Sequence, residues 1–166
     1  MSTIASSFTA RNLLLRQIAL GGLIIGTADA IIYHWFYLSV LGGSPLTIVY
    51  QYIASGALGE AAFAGGLATA LLGVLFHYLI SLIVTSIFIL SARRVYLLRR
   101  YAIIGSLLYG FGVFIVMNVL VIPLSAAPPL PAPTTSQLIV NILDHMLIVG
   151  LPLGILVRRS LHINHP

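Results

Sequence analysis

The residues able to do proton or ligand chemistry here are few. The chain of 166 residues holds three acids, five histidines, eight arginines, no lysine and no cysteine. Two of the acids, Asp29 and Asp144, and two of the histidines, His77 and His145, stand inside long apolar runs. The stretch "NILDHMLIVGLP", Asn141 to Pro152, sets Asp144 and His145 side by side near the middle of such a run. A charge at mid-bilayer costs about 2.5 kcal/mol or more, so such groups turn inward and find partners. The cheapest arrangement pairs Asp29 or Asp144 with His77 or His145 of another run. Adjacent helical residues diverge by about 100°, so Asp144 and His145 are expected to serve different partners.

Three kinds of chemistry fit this set. Buried polar groups can hold helices in one register. Carboxylates and imidazoles can relay protons or line a small-solute path, since histidine changes charge near neutrality. Two histidines on facing helices can also hold a haem, and His77 with His145 is the candidate pair. No single helix carries two histidines at a haem-repeat spacing. Without cysteine there are no thiolate metal sites, iron–sulfur clusters, disulfides or cysteine nucleophiles, and no metal site is assigned. A hydrolase needs a nucleophile, a base and an orienter. His77 and Ser81 lie one helical turn apart, without a third partner, and that separation is common by chance. HExxH, DxD and Gly-rich phosphate loops are absent. The chain is therefore expected not to be an enzyme, and no catalytic residue is assigned.

The elements that carry these residues follow from composition. The chain is 60% hydrophobic and 7% charged, with a mean hydropathy of +1.09. A soluble domain carries about 25% charged residues, so most of this surface must face lipid. Runs of about 20 apolar residues cross a bilayer as helices. Four qualify, at about 18–40, 65–92, 101–124 and 138–157, in a single membrane domain. The expected fold is an all-α integral membrane protein, a four-transmembrane-helix bundle. Arg11 and Arg16 precede the first span. Arg93, Arg94, Arg99 and Arg100 lie between the second and third, and Arg158 and Arg159 follow the fourth. All eight fall on one side, which by the positive-inside rule makes both termini cytoplasmic. The net charge of +5 does not point to nucleic acid, because the arginines sit in pairs at span ends rather than interleaved with aromatics on a solvent face.

"IALGGLIIGTADA" has the look of a signal peptide, but the apolar run continues to Leu41, so cleavage is not expected. Residues 45–62 should form a short interfacial or re-entrant helix in the first outer loop, with Ser44 as cap and Pro45 at its first position. Glu60 should be solvated near the outer mouth of span two, or cap that helix. The second outer loop, 125–136, follows Pro123 and is rich in proline, hence extended, and Ser136 should cap span four. Tyr33, His34, Trp35, Phe36 and Tyr37 form an aromatic belt at the end of span one. His162 and His165 lie in the tail.

Inside the spans the spacing is regular. Thr69, Gly73, His77, Ser81 and Thr85 recur every four residues and make one small, polar stripe on span two. Gly22, Gly26, Asp29 and Tyr33 share a face of span one. Gly105, Tyr109 and Gly112 share one of span three, with Asn118 beyond. Asn141, Asp144, His145 and Ile148 share a broad face of span four, before a kink at Pro152. Asp29, His77, Ser81, Asn118, Asn141, Asp144 and His145 are expected to form an intramembrane cluster between midplane and outer surface.

His77 with Ser81, Gly110, Pro123–Leu124, His145 and Arg158–Arg159, with the proline-rich loop after span three, make a pattern over about residues 65–160. This resembles the YagU-like group of small bacterial inner-membrane proteins. The resemblance implies bacterial inner-membrane residence and a link to acid tolerance; it implies no reaction. Where that group would place a polar residue late in span three, often histidine, this chain has Asn118, which weakens a haem site there. The expected function is a proton-linked or small-solute pathway. The alternative is a structural or accessory subunit, assembled in the lipid bilayer with copies of itself or with a larger membrane protein.

Overall fold

A computed structural model describes the backbone of residues 2–41 and 45–163, and the side chains of residues 11–32 and 45–160. The aromatic belt, Ser44, His162 and His165 lie outside the described side chains. Helix α1 runs Ser2–Leu41 and α2 Leu46–Leu58, and a 3₁₀ turn at Gly59–Ala64 leads into α3, Gly66–Arg94. The short α4, Tyr96–Arg100, connects to α5, Ala102–Val116. A π-helical turn at Met117–Val121 and α6, Ile122–Leu124, extend α5. After the proline-rich loop come α7, Thr135–Asp144, a second π-helical segment at His145–Gly150, and α8, Leu151–Ile163. There is no strand among the described residues. Four helical stretches are long and apolar enough to cross a membrane: Arg11–Ile32, Gly66–Arg94, Ala102–Leu124 and Thr135–Ser160. The four-helix, all-α expectation holds.

The helices meet through small residues. A methyl on Gly73 would overlap the Tyr50 carbonyl, one on Gly110 the His145 carbonyl, and one on Gly150 the Ser106 carbonyl. Backbones touch at these points because no side chain intervenes. The small stripe on α3 is used along its whole length. Toward the 3₁₀ turn, Thr69 donates to the Ala62 carbonyl at 2.6 Å, and from α2 the buried Gln51 amide donates to the Gly66 carbonyl at 2.9 Å. Toward α1, Ser81 lies under Gly26 and Thr85 under Gly21. Leu67, Leu71, Leu75, Leu79, Ile83 and Ile87 occupy the opposite, exposed face of α3, again at steps of four. That is the face a bilayer would solvate.

The apolar core gathers near the arginine-bearing ends. Ile25, Phe88, Ile89, Ala92, Ala102, Val149, Leu153 and Val157 are buried together, and Leu14, Ile18 and Leu98 pack against them. Residues close to Arg16, Arg93, Arg99 and Arg158 thus meet in one cluster, and the arginines share one end of the bundle. At the other end the proline-rich loop is pinned to α2. Ala126 N–H donates to the Gly56 carbonyl at 3.0 Å and Tyr52 O–H to the Pro128 carbonyl at 3.4 Å. Beside it, a groove of about 290 Å³ runs between α2, α3 and the end of α5, lined by Tyr52, Phe76, Leu79, Ile83, Met117 and Ile122 among others.

Two local expectations need correction. Helix α2 starts at Leu46, so Pro45 is its N-cap residue; the amides of Ile48 and Val49 bond the Pro45 carbonyl. Span four is capped by Thr134, not Ser136. The Thr134 hydroxyl accepts from the Gln137 amide at 3.3 Å, and the Gln137 side chain accepts from the Thr134 amide at 2.8 Å. This capping box leaves Ser136 in the first turn. Just before Pro152, where the kink is expected, stands the π-helical segment. A proline ring clashes with the carbonyl four residues back, and a wider turn moves that carbonyl away. Pro123 repeats the device, since each proline stands two residues past a π-helical segment.

Candidate functional site

Asp29, His77 and Asp144 come from three different spans but lie at one level. Counting at 1.5 Å per residue, Asp29 is about 20 Å from Arg16, His77 about 24 Å from Arg93, and Asp144 about 21 Å from Arg158. Gly26, a turn before Asp29, lets α1 approach α3 there: a methyl on it would meet Ser81 Oγ at 2.9 Å and the Tyr78 ring at 3.0 Å. That close contact delivers His77 to α1. Gly110 does the same for the fourth span, bringing α5 against the backbone at His145 and Met146.

Two histidine–carboxyl units result. In the first, His77 Nε2 lies 2.8 Å from the Gly26 carbonyl and 3.8 Å from Asp29 Oδ2. A carbonyl only accepts, so Nε2–H is the donor. In the second, His145 Nδ1–H donates to the Asn141 carbonyl at 2.9 Å, with Asp144 Oδ2 at 3.9 Å. Each imidazole therefore gives its hydrogen to a backbone carbonyl, with a carboxyl just beyond hydrogen-bond reach. The cross-span pairing of Asp29 with His77 matches the sequence reading. The expected divergence of Asp144 and His145 is only partial: they do not bond each other, yet stand within ion-pair distance.

The two units join through their carboxyls. Asp29 and Asp144 face each other across the two spans, where α1 packs against α7 and the π-helical segment that follows it. Asp144 is 7% exposed, and neither of its oxygens meets a donor. Asn141 Oδ1, one turn away, is likewise buried without a donor. The arrangement is an array, His77–Asp29–Asp144–His145, in which acceptors outnumber donors.

Aromatic rings wall this array. Tyr50 and Tyr78 stand edge-on to His77, with ring centres 6.0 and 5.5 Å away, and Phe114 stands edge-on to His145 at 5.8 Å. Tyr78 O–H is 3.0 Å from Thr27 Oγ1, which ties α3 to α1 beside the array. The sequence reading did not include Tyr50, Tyr78, Thr27 or Phe114. Tyr78 follows His77 directly and Thr27 lies two residues from Asp29, so proximity in sequence was a usable signal. Tyr50 had none, because its place depends on how α2 folds back on α3.

The remaining expected members behave differently. Ser81 is buried beside Gly26, but its hydroxyl donates to the His77 carbonyl at 2.9 Å, within its own helix. Asn118 is exposed and donates to the Phe114 carbonyl at 2.9 Å, one turn back. It belongs to the outside of the π-helical turn in span three, not to the array. Glu60 is exposed in the 3₁₀ turn. Of the histidines named as a haem pair, His77 donates from Nε2 to the Gly26 carbonyl and His145 from Nδ1 to the Asn141 carbonyl, which leaves one ring nitrogen of each uncommitted. Among the described residues, no three or more histidines and acids are grouped to hold a metal ion. The apolar groove is lined by none of the array's side chains. Compared with family models, curated proteins and solved structures, the chain gives no match.

Proposed function

We propose that the chain is a multi-pass, non-enzymatic protein of a bacterial inner membrane, with both termini cytoplasmic, and that its His77–Asp29–Asp144–His145 array takes up and releases protons as part of a proton-linked pathway. The meeting of Asp29 and Asp144 from separate spans, with Asp144 buried and no donor at either oxygen, carries this reading. An array built only to hold helices in register would be expected to satisfy its polar atoms, because each one left unpaired costs about 1–3 kcal/mol. An imidazole stands at each end of the array, and an imidazole ring can accept a proton at one nitrogen while donating from the other. A path for bulkier solutes is less well supported, since the groove is apolar and lies away from the array.

The competing reading is a structural or accessory subunit. The faces of Gly22, Gly26, Gly73, Gly110 and Gly150 are spent on contacts within the chain, whereas Gly112 meets nothing within 4 Å. The test is proton flux into liposomes containing the purified chain and an internal pH-sensitive dye. Asp29→Asn and Asp144→Asn are each expected to insert normally and to lose pH-driven flux. Normal flux in both variants would sink the proposal. Failure of both to accumulate, with a larger protein co-purifying in fixed ratio with the wild type, would establish the accessory subunit instead.

A further inference from the structure

At the arginine end the chain has strong positive charge and no acidic side chain to meet it. The three acids are accounted for elsewhere: Asp29 and Asp144 in the array about 20 Å away and Glu60 in the turn between α2 and α3. Arg93 and Arg94 end α3, Arg99 and Arg100 end α4, and Arg158 and Arg159 stand near the end of α8. All six are exposed. Helix α4 touches α3, α5 and α8, so the three arginine pairs converge.

The details of α4 narrow the ligand. Leu98 packs against the apolar core and fixes the helix. Its other side chains then face outward: Tyr96 is 59% exposed, Leu97 62%, and the next residue, Tyr101, 49%. Arg100 Nη1 donates to Tyr96 Oη at 3.3 Å, and its guanidinium lies 5.5 Å from the centre of the Tyr101 ring. The arginines are thus interleaved with aromatics after all, in the stretch "RRVYLLRRY". A soluble polyanion would leave Leu97 and both rings in water. A phospholipid satisfies both halves, with its phosphate on the guanidinium forks and its acyl chain along Leu97. The use of arginine at every basic position suits bidentate phosphate contacts, whereas a topology signal alone needs only positive charge.

We propose that the α3–α4–α5 corner, with the end of α8, is a binding site for an anionic phospholipid headgroup, centred on Arg99 and Arg100 and seated on Tyr96, Leu97 and Tyr101. Native mass spectrometry of the full chain tests it, with phosphatidylglycerol and phosphatidylcholine offered together and inorganic phosphate as competitor. Phosphatidylglycerol should survive detergent exchange that strips phosphatidylcholine. The double variant Arg99→Gln/Arg100→Gln should retain it roughly tenfold less well or worse, on a scale of about one charge contact per arginine. Removing charge can also disturb insertion, so Arg99→Lys/Arg100→Lys is measured beside it. That pair keeps the charge and should still bind more weakly than wild type, because the forked contact is lost. Equal retention of both lipids overturns the proposal. So does displacement of the lipid by inorganic phosphate alone, which would mark a free-anion site. Wild-type retention by the lysine pair would remove the bidentate assignment, and wild-type retention by the glutamine pair would remove the site.

Discussion

The two halves of the bundle are built on opposite terms. Toward the arginine end, Phe88 and Leu153 are fully buried among Ile89, Ala92, Ala102 and Val157, and no charge enters. About 20 Å along the helices, two acids and two histidines from three spans converge, with buried oxygens that lack donors. The fourth span changes character between them. It is π-helical from His145 to Gly150, directly after Asp144, and α-helical through the apolar half. Segments of this kind often mark functional sites in helices. The two halves divide the labour. The apolar half supplies the packing free energy that lets the polar half remain unsatisfied.

Damage to the apolar half should therefore be the more costly for folding. Phe88→Ala removes the largest fully buried side chain. In lipid the transfer part of its burial is small, because acyl chains are as apolar as the core. The lost contacts and the cavity remain, and a cost of about 3 kcal/mol is expected. Reversible unfolding in mixed detergent micelles measures it. A cost near zero would mean that the apolar half does not support the rest.

The polar half should respond with the opposite sign. Asp144→Leu replaces a buried carboxyl without a donor by an apolar group. It is expected to raise stability by about 1 kcal/mol while abolishing proton flux. A gain in stability with a loss of activity would identify the array as a functional feature maintained at a structural cost. A loss of stability by a similar amount would instead make the array the element that fixes helix register, and the comparison would fail.

Much of this was legible in the sequence, and the reasons differ by feature. Apolar length and arginine placement reveal four spans, because lipid leaves a backbone few alternatives. Steps of four placed His77 and Ser81 on one face of α3, and the span boundaries put Asp29, His77, Asp144 and His145 between midplane and outer surface. What the pattern could not supply was rotation about each helix axis. Asn118 has the right type and nearly the right depth, yet it turns outward and bonds its own helix. The π-helical turns were visible only indirectly, through Pro123 and Pro152, since a proline announces a disturbance without saying whether the helix will kink or widen. Tyr50 joined the array through the packing of α2 on α3, a long-range contact that no local spacing encodes.

The smallest effect concerns the entry to the fourth span, where the proline-rich loop must stop and a helix must start. Thr134 does this through reciprocal bonds with Gln137. The loop is also held independently, by the bonds from Ala126 to Gly56 and from Tyr52 to Pro128. Thr134→Ala therefore removes one cap from a span whose other contacts are intact, and about 1 kcal/mol should be lost. Asp144 lies ten residues further along the chain, in the same helix, so the array should keep its geometry and the variant its proton flux. Hydrogen exchange at the amides of residues 135–138 should rise, while exchange near Asp144 stays as in the wild type. Faster exchange at both places would show that the first turn and the array open together, and that the polar half depends on its loop as much as on the apolar half beneath it.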